Sequence, residues 1–271
     1  MPLTPERLRT ADRSVRSQLF RQIFGVFAQL RQLNFDTIGS LMPGRSEEKP
    51  LVGNLLTFAM NEIPGAQLPA FSTAQEFMQS QFDVVRQHSA LPTENLEESD
   101  ARFELFAIYT LEKYFTVPDK VNHAPFVLQH PDLRLQNIIV NDDLEVQAVI
   151  DWEFAHVVPL PLFVPPPWAT GHDFDFALLS ALFQLELRDA AASNTALAQL
   201  RHEWYQSKSN AFHIAHIVRY PSDVSTVFDE FFAKPLFGDD VDKAEADFFN
   251  AHMALNVEAR RRAQLRPTPC S

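Results

Sequence analysis

His130, Asp132 and Asn137 stand in one short run, Phe126-Val-Leu-Gln-His-Pro-Asp-Leu-Arg-Leu-Gln-Asn-Ile-Ile-Val140, and Asp151 follows in Val149-Ile-Asp-Trp-Glu153. These types in this order have a chemical meaning. The carboxylate of Asp132 can orient an attacking hydroxyl. The amide oxygen of Asn137 and the carboxylate of Asp151 are hard donors that can hold Mg²⁺ against the phosphates of a nucleotide. Phosphoryl transfer asks for this set, because it depends on positioning and charge neutralisation more than on covalent chemistry. The alternative is that Asp132 and Asn137 are ordinary loop residues satisfied by nearby backbone N–H groups. A bare His-x-Asp pattern with Asn five residues later would favour that alternative. His130 is expected to brace the loop, not to do chemistry.

The surrounding elements tip the balance. Phe126-Val-Leu-Gln129 reads as a strand that delivers His130 and Asp132 into a loop. The apolar runs 138–140 and 146–150 flank Asn141-Asp-Asp-Leu-Glu145, a hairpin signature. Asp132, Asn137 and Asp151 should therefore converge at one end of a hairpin. Around this centre the chain reads as helix. Thr4 and Pro5 give a helix start, and Leu8, Val15, Leu19, Ile23, Phe27 and Leu30 predict one long helix ending near Leu33. Residues 37–41 and 50–54 predict a short hairpin about a polar turn with Gly44, Arg45, Ser46 and Glu47. Overlapping capping boxes at Ser72 and Thr73 open a helix to about His88. An acidic loop from Glu94 to Asp100 precedes a helix carrying Phe103, Phe106, Tyr109, Leu111, Tyr114 and Phe115. The proline-rich stretch Pro159 to Trp168 can be neither helix nor central strand. About four helical patterns follow between Asp173 and Arg262. The expected fold class is α+β, mostly α-helical, as a single domain over 1–271 with a small central β-hairpin carrying the catalytic loop.

Composition sets outer bounds. The 271 residues include 24 Phe and only 7 Gly, and 46% are hydrophobic. This favours helices packed by aromatics. The net charge of −12 argues against nucleic acid as a partner. It would suit a cationic substrate, or simply keep the protein in solution. Cys270 is the one cysteine, so no intramolecular disulfide or cysteine zinc cluster can form. The N-terminus is charged from the start, and no stretch approaches the roughly eighteen apolar residues of a membrane span. A cytoplasmic location and no membrane association are expected.

The segment from Leu128 to Ala155 resembles the core of the aminoglycoside phosphotransferase family. It is most similar to the fungal-type branch, with Asp151-Trp-Glu153 after the strand and Pro166-Pro-Trp168 downstream. The likeness extends more weakly over most of the chain, including Ile38-Gly-Ser-Leu41 and Val52-Gly53. The resemblance implies a protein-kinase-like fold, ATP and Mg²⁺ as cofactors, and transfer of phosphate to a small-molecule hydroxyl. By position, Asp132 resembles the catalytic base, and Asn137 and Asp151 the metal and nucleotide ligands. Two departures alter the loop surface: Pro131 stands where the family often has Gly, and Arg134-Leu-Gln136 where it often has His-Pro-Gly.

That family also implies an N-terminal β-lobe with a glycine-rich loop and a strand lysine. No two glycines of this sequence lie two apart, and the first lysine, Lys49, sits beside Glu47 and Glu48 in a polar turn. The expectation is a C-terminal lobe only, truncated at its N-terminal side, either by the gene model or by natural loss. Alone it should bind ATP weakly or not at all, and apolar surface on the first helix should stand exposed. A catalytically inactive remnant serving as an interaction module is the alternative. Other candidates are weaker. His213 and His216 could share a metal on one helix turn, but neither an HExxH pattern nor a cysteine accompanies them. His172-Asp-Phe-Asp175 suits a helix cap. Arg260 to Arg262 complement a helix C-terminus. Ser180 and Ser193 lack a nucleophile-elbow context.

Overall fold

The computed structural model describes residues 1–44, 50–206 and 210–265. Arg45, Ser46, Glu47, Lys49 and Cys270 lie outside them. The chain divides into two compact units. The first comprises residues 1–56, 67–74 and 118–212, and the second residues 57–66, 75–117 and 213–271. Both are rich in helix, and the strands are short and antiparallel. Among the described residues no helix is long and apolar enough to cross a membrane.

Among the described residues the first unit contains six strands: β1 (Ser40–Met42), β2 (Leu51–Gly53), β3 (Val127–Gln129), β4 (Ile138–Val140), β5 (Val146–Val149) and β6 (His156–Val158). β1 and β2 form the expected hairpin, with Ser40 opposite Gly53. Gly39 is required there, because a Cβ at this position would stand 2.2 Å from the carbonyl oxygen of Gly53. β4 and β5 form the second expected hairpin, with Ile138 opposite Val149. Its turn is fastened by Asn141, whose Oδ1 accepts the N–H of Glu145 at 2.8 Å. β4 is paired on its other side as well, where Leu3 N–H donates to the carbonyl of Ile138 at 2.9 Å.

β6 was not anticipated. It lies in a four-stranded sheet of order β2-β1-β6-β3, with His156 facing both Ser40 and Gln129. Three residues closed by Pro159 carry too little local pattern to declare a strand, and their partners are remote in sequence. The loop 130–137 therefore does not belong to a single hairpin. It leaves the four-stranded sheet at β3 and enters the separate hairpin at β4.

The first predicted helix is two helices, Pro5–Thr10 and Arg13–Leu30. Ala11 is extended at ψ 143° and its N–H turns back to the carbonyl of Arg7. The apolar spacing misses this break, because a seven-residue step from Leu8 to Val15 fits one helix or two. The expected exposed face is not found either. Leu19, Phe20, Ile23, Phe24 and Phe27 are all buried. Phe24 meets Phe183 edge-on at 4.7 Å, and Phe27 meets Trp204 at 5.0 Å. Arg31 closes the helix end with a two-pronged pair to Glu203.

The second unit is helical. Its framework is the helices Ala74–Ser89, Glu98–Tyr114, Val241–Ala251 and Met253–Gln264. From Asp173 onward the described residues hold seven α-helical segments across both units, where about four were expected. Short helices such as Val224–Phe228 and Lys234–Phe237 are below the length at which a 3.6-residue period is legible. Phenylalanine is the packing material: Phe106 lies within 5.6 Å of Phe228 and 5.5 Å of Phe237 and Phe248, centroid to centroid.

One ion pair is buried in this core. Arg262 is 3% exposed and donates to Glu104. Burial pushes the carboxyl of Glu104 up even with the guanidinium beside it, so desolvation outweighs the attraction. Such a pair adds little over an apolar replacement but is costly to break. Arg262→Ala should lower unfolding free energy by about 3–5 kcal/mol. Arg262→Met combined with Glu104→Leu should recover most of the loss. Urea denaturation of the three proteins checks both statements. A single variant within 1 kcal/mol of the parent would show the pair to be effectively solvated.

Candidate functional site

β3 is buried along its length, and the next residue, His130, is 1% exposed. Its Nε2 donates to the carbonyl of Ile150 at 2.9 Å; a carbonyl only accepts, so Nε2 carries the hydrogen. The ring packs edge-on against Trp152 at 4.6 Å. Trp152 in turn donates from Nε1 to the carbonyl of Val149. His130 thus ties the start of the loop to the end of β5.

Leu133 and Leu135 anchor the loop from beneath, at 1% and 2% exposure. The carbonyl of Asp132 accepts from Arg134 N–H at 2.8 Å and from Asn137 Nδ2 at 2.7 Å. The Asp132 carboxylate, about a quarter exposed, accepts from Arg134 Nε at 2.7 Å. Asn137 Nδ2 stands 3.5 Å from its other oxygen. Asn137 is 6% exposed and ends the single turn Leu135–Asn137. Because Nδ2 faces a carbonyl, the amide orientation is settled by chemistry, and Oδ1 is left as an acceptor. The carbonyl of Asn137 accepts from Ile150 N–H at 3.0 Å.

Asp151 follows directly on Ile150. It leaves the hairpin at the end where Asn137 enters it. Its backbone is left-handed, φ 63° and ψ 51°, a conformation that costs a non-glycine residue about 1–2 kcal/mol. The side chain is exposed and makes no hydrogen bond or ion pair among the described residues. The structure therefore brings Asp132 and Asn137 into direct contact and sets Asp151 one residue from their shared anchor. The donors are two carboxylates and an amide oxygen, a set that fits a hard divalent cation.

The remaining candidates resolve differently. His213 stacks on Phe231 at 4.0 Å, and His216 pairs with Asp223 at 2.8 Å. Among the described residues no three His, Cys, Asp or Glu side chains are grouped to hold a metal. Asp173 accepts from Asp175 N–H at 2.9 Å, as a cap would. Ser180 donates to the carbonyl of Ala169 in the interior.

Two residues named in the sequence take positioning roles that the sequence did not assign to them. Trp168 is 3% exposed, packs on Phe20 and Phe183, and donates from Nε1 to the carbonyl of Leu133 at 3.1 Å. The proline run before it signalled irregular backbone, but nothing local pointed to a bond 35 residues away. Arg134 was noted only as a departure in loop surface, yet it holds the Asp132 carboxylate.

A model of the phosphotransferase enzyme family matches residues 3–160, more than half of the 271, and the chain belongs to that family. The match contains His130, Asp132, Asn137 and Asp151. No curated protein and no solved structure matches the chain.

The left-handed backbone at Asp151 yields a stability test. Asp151→Gly should leave stability unchanged or raise it by up to about 1 kcal/mol, since relief of strain offsets the extra freedom of the unfolded chain. Asp151→Val should destabilise. Thermal denaturation checks both; a marked loss with Gly would mean that the carboxylate itself holds the hairpin.

His156 gives a pH test. Burial pushes its pKa below the ordinary 6.5. The unfolded chain then binds a proton that the folded one refuses, so stability present above pH 6.5 is lost as pH falls below it. His156→Gln should flatten the fall in urea midpoint between pH 7 and pH 5. An unchanged slope would assign the acid sensitivity to other groups, such as His213, which burial pushes down to about 4.

Proposed function

We propose that this chain carries the acceptor and metal side of an ATP- and Mg²⁺-dependent phosphotransferase acting on a small-molecule hydroxyl. Asp132 orients the hydroxyl and accepts its proton. Asn137 Oδ1 and the Asp151 carboxylate hold Mg²⁺, which when bound supplies charge neutralisation at the phosphates. His130 keeps the loop in register with the hairpin. The observation that carries this reading is the 2.7 Å bond from Asn137 Nδ2 to the Asp132 carbonyl, which commits the amide N–H, leaves the amide oxygen as an acceptor and holds the base beside it. Membership of the phosphotransferase enzyme family supports it.

The finer reading goes with it: a kinase-like catalytic lobe of the fungal-type branch, on Asp151-Trp-Glu153 and Pro166-Pro-Trp168. We place it in the cytoplasm, with a small hydroxyl compound as partner and no nucleic acid. A second reading has one observation in its favour. Arg134 occupies an oxygen of the Asp132 carboxylate, which suits a catalytically silent binding module.

Mutants separate the two. In protein that turns over a hydroxyl substrate, Asp151→Asn should lower kcat on the order of 10³-fold, through loss of charge at the metal. Asp132→Asn should lower kcat by roughly 10²–10⁴-fold with little change in nucleotide affinity. Asn137→Ala should be partly rescued by high Mg²⁺, and His130→Ala should act through stability. Mn²⁺ should broaden the Asn137 side-chain amide resonance in the parent and not in Asp151→Asn. A folded Asp132→Asn protein with parental kcat would defeat the mechanism. Turnover absent in the parent, with Mn²⁺ broadening also absent, would select the silent module.

A further inference from the structure

The second unit holds a cavity of about 630 Å³ that the proposed chemistry does not use. Pockets of this volume take small molecules. Its floor is three phenylalanine rings, with Phe106 at 5.5 Å from both Phe237 and Phe248. Such a floor offers flat apolar contact to another ring.

The charged groups at its walls are unequal in what they have left to give. Glu112 is the one carboxylate in the lining, and it is already engaged by Arg86 and by Gln79, whose Nε2 donates at 2.7 Å. Arg86 also pairs with Asp83 and lies over the Tyr109 ring, 5.7 Å from its centroid. Lys113 differs. Its ammonium stands 5.5 Å from the Tyr114 ring centroid and makes no ion pair among the described residues. A ring face is a weaker partner for an ammonium than a carboxylate would be. His252 adds a second polar edge. Its Nδ1 meets the carbonyl of Phe248 at 2.8 Å, so Nδ1 carries the hydrogen, and its ring stacks on Phe248. An aromatic floor with one uncommitted cation selects a flat apolar body bearing one negative charge. The net charge of −12 opposes anions in general, so selectivity here has to come from Lys113 itself.

We propose that this cavity binds a small aromatic carboxylate, its ring on Phe106, Phe237 and Phe248 and its carboxylate at Lys113. The proposal is independent of the phosphotransfer reading.

Calorimetric titration of the full chain with 2-naphthoate, 2-naphthylmethanol and 2-naphthylmethylammonium tests it. The carboxylate should bind with a negative heat-capacity change. The ammonium analogue should bind at least about tenfold more weakly, with the alcohol between them. Lys113→Gln should weaken 2-naphthoate about tenfold and leave the alcohol unchanged. Phe248→Leu, with its fold checked by circular dichroism, should weaken all three. No binding of 2-naphthoate at millimolar concentration would overturn the proposal. Equal affinity for the ammonium analogue, or an unaltered Lys113→Gln, would overturn it as well.

Discussion

The backbone of one residue, Ile150, organises the site region. The N–H of Ile150 goes to the carbonyl of Asn137, and the carbonyl of Ile150 receives His130 Nε2. The loop 130–137 is thereby held at both ends against the same residue. Asp151 comes next in the chain, so its position follows from these two bonds and from its own left-handed backbone. Loss of either bond would leave a buried polar group without its partner, which costs more than the bond contributes when made.

The layer beneath explains why that arrangement holds. Helix Arg13–Leu30 presents Phe20, Phe24 and Phe27 to Phe183, Trp168 and Trp204. The two indoles do more than fill space, since each donates a buried N–H to a loop carbonyl: Trp168 to Leu133 and Trp204 to Phe163. An aromatic ring packed on several sides has little freedom, and its N–H passes that rigidity to an otherwise unsupported backbone. The Asp132–Arg134 pair sits at the outer surface of this layer, with Arg134 about half exposed. It orients the carboxylate more than it stabilises the fold, as exposed pairs contribute little. The second unit uses the same aromatic material differently. Around Phe106 the packing is phenylalanine on phenylalanine, and among the described residues the buried guanidinium of Arg262 pairs with Glu104.

Much of this was legible in the residues because the signals are local. Thr4 and Pro5 open a helix, and Arg7 N–H does reach Thr4 Oγ1. The turn Asn141 to Glu145 makes its hairpin through a side chain four residues from its partner. The apolar runs on either side of that turn pair as β4 and β5, with Ile138 opposite Val149, and this brings Asn137 and Asp151 to one end. The run from His130 to Asn137 showed its candidate residues plainly, although the bond from Arg134 to the Asp132 carboxylate within it was not legible.

What the sequence by itself determined was the hairpin, the helix start at Thr4 and Pro5 and the grouping of Asp132 with Asn137, all of which depend on residues within about a dozen positions of one another. Tertiary structure decided the rest. β6 acquires a strand conformation only because β1 and β3 supply hydrogen bonds on both sides, from more than a hundred residues before it and from about thirty before it. Trp168 becomes a support for the loop only once helix Arg13–Leu30 gives its ring a place to pack. Asp151 takes a backbone that favours glycine, and no residue type announces this, because the constraint comes from the anchored peptide before it. Pairings across such separations gain nothing until the chain between them is ordered, so no local pattern encodes them.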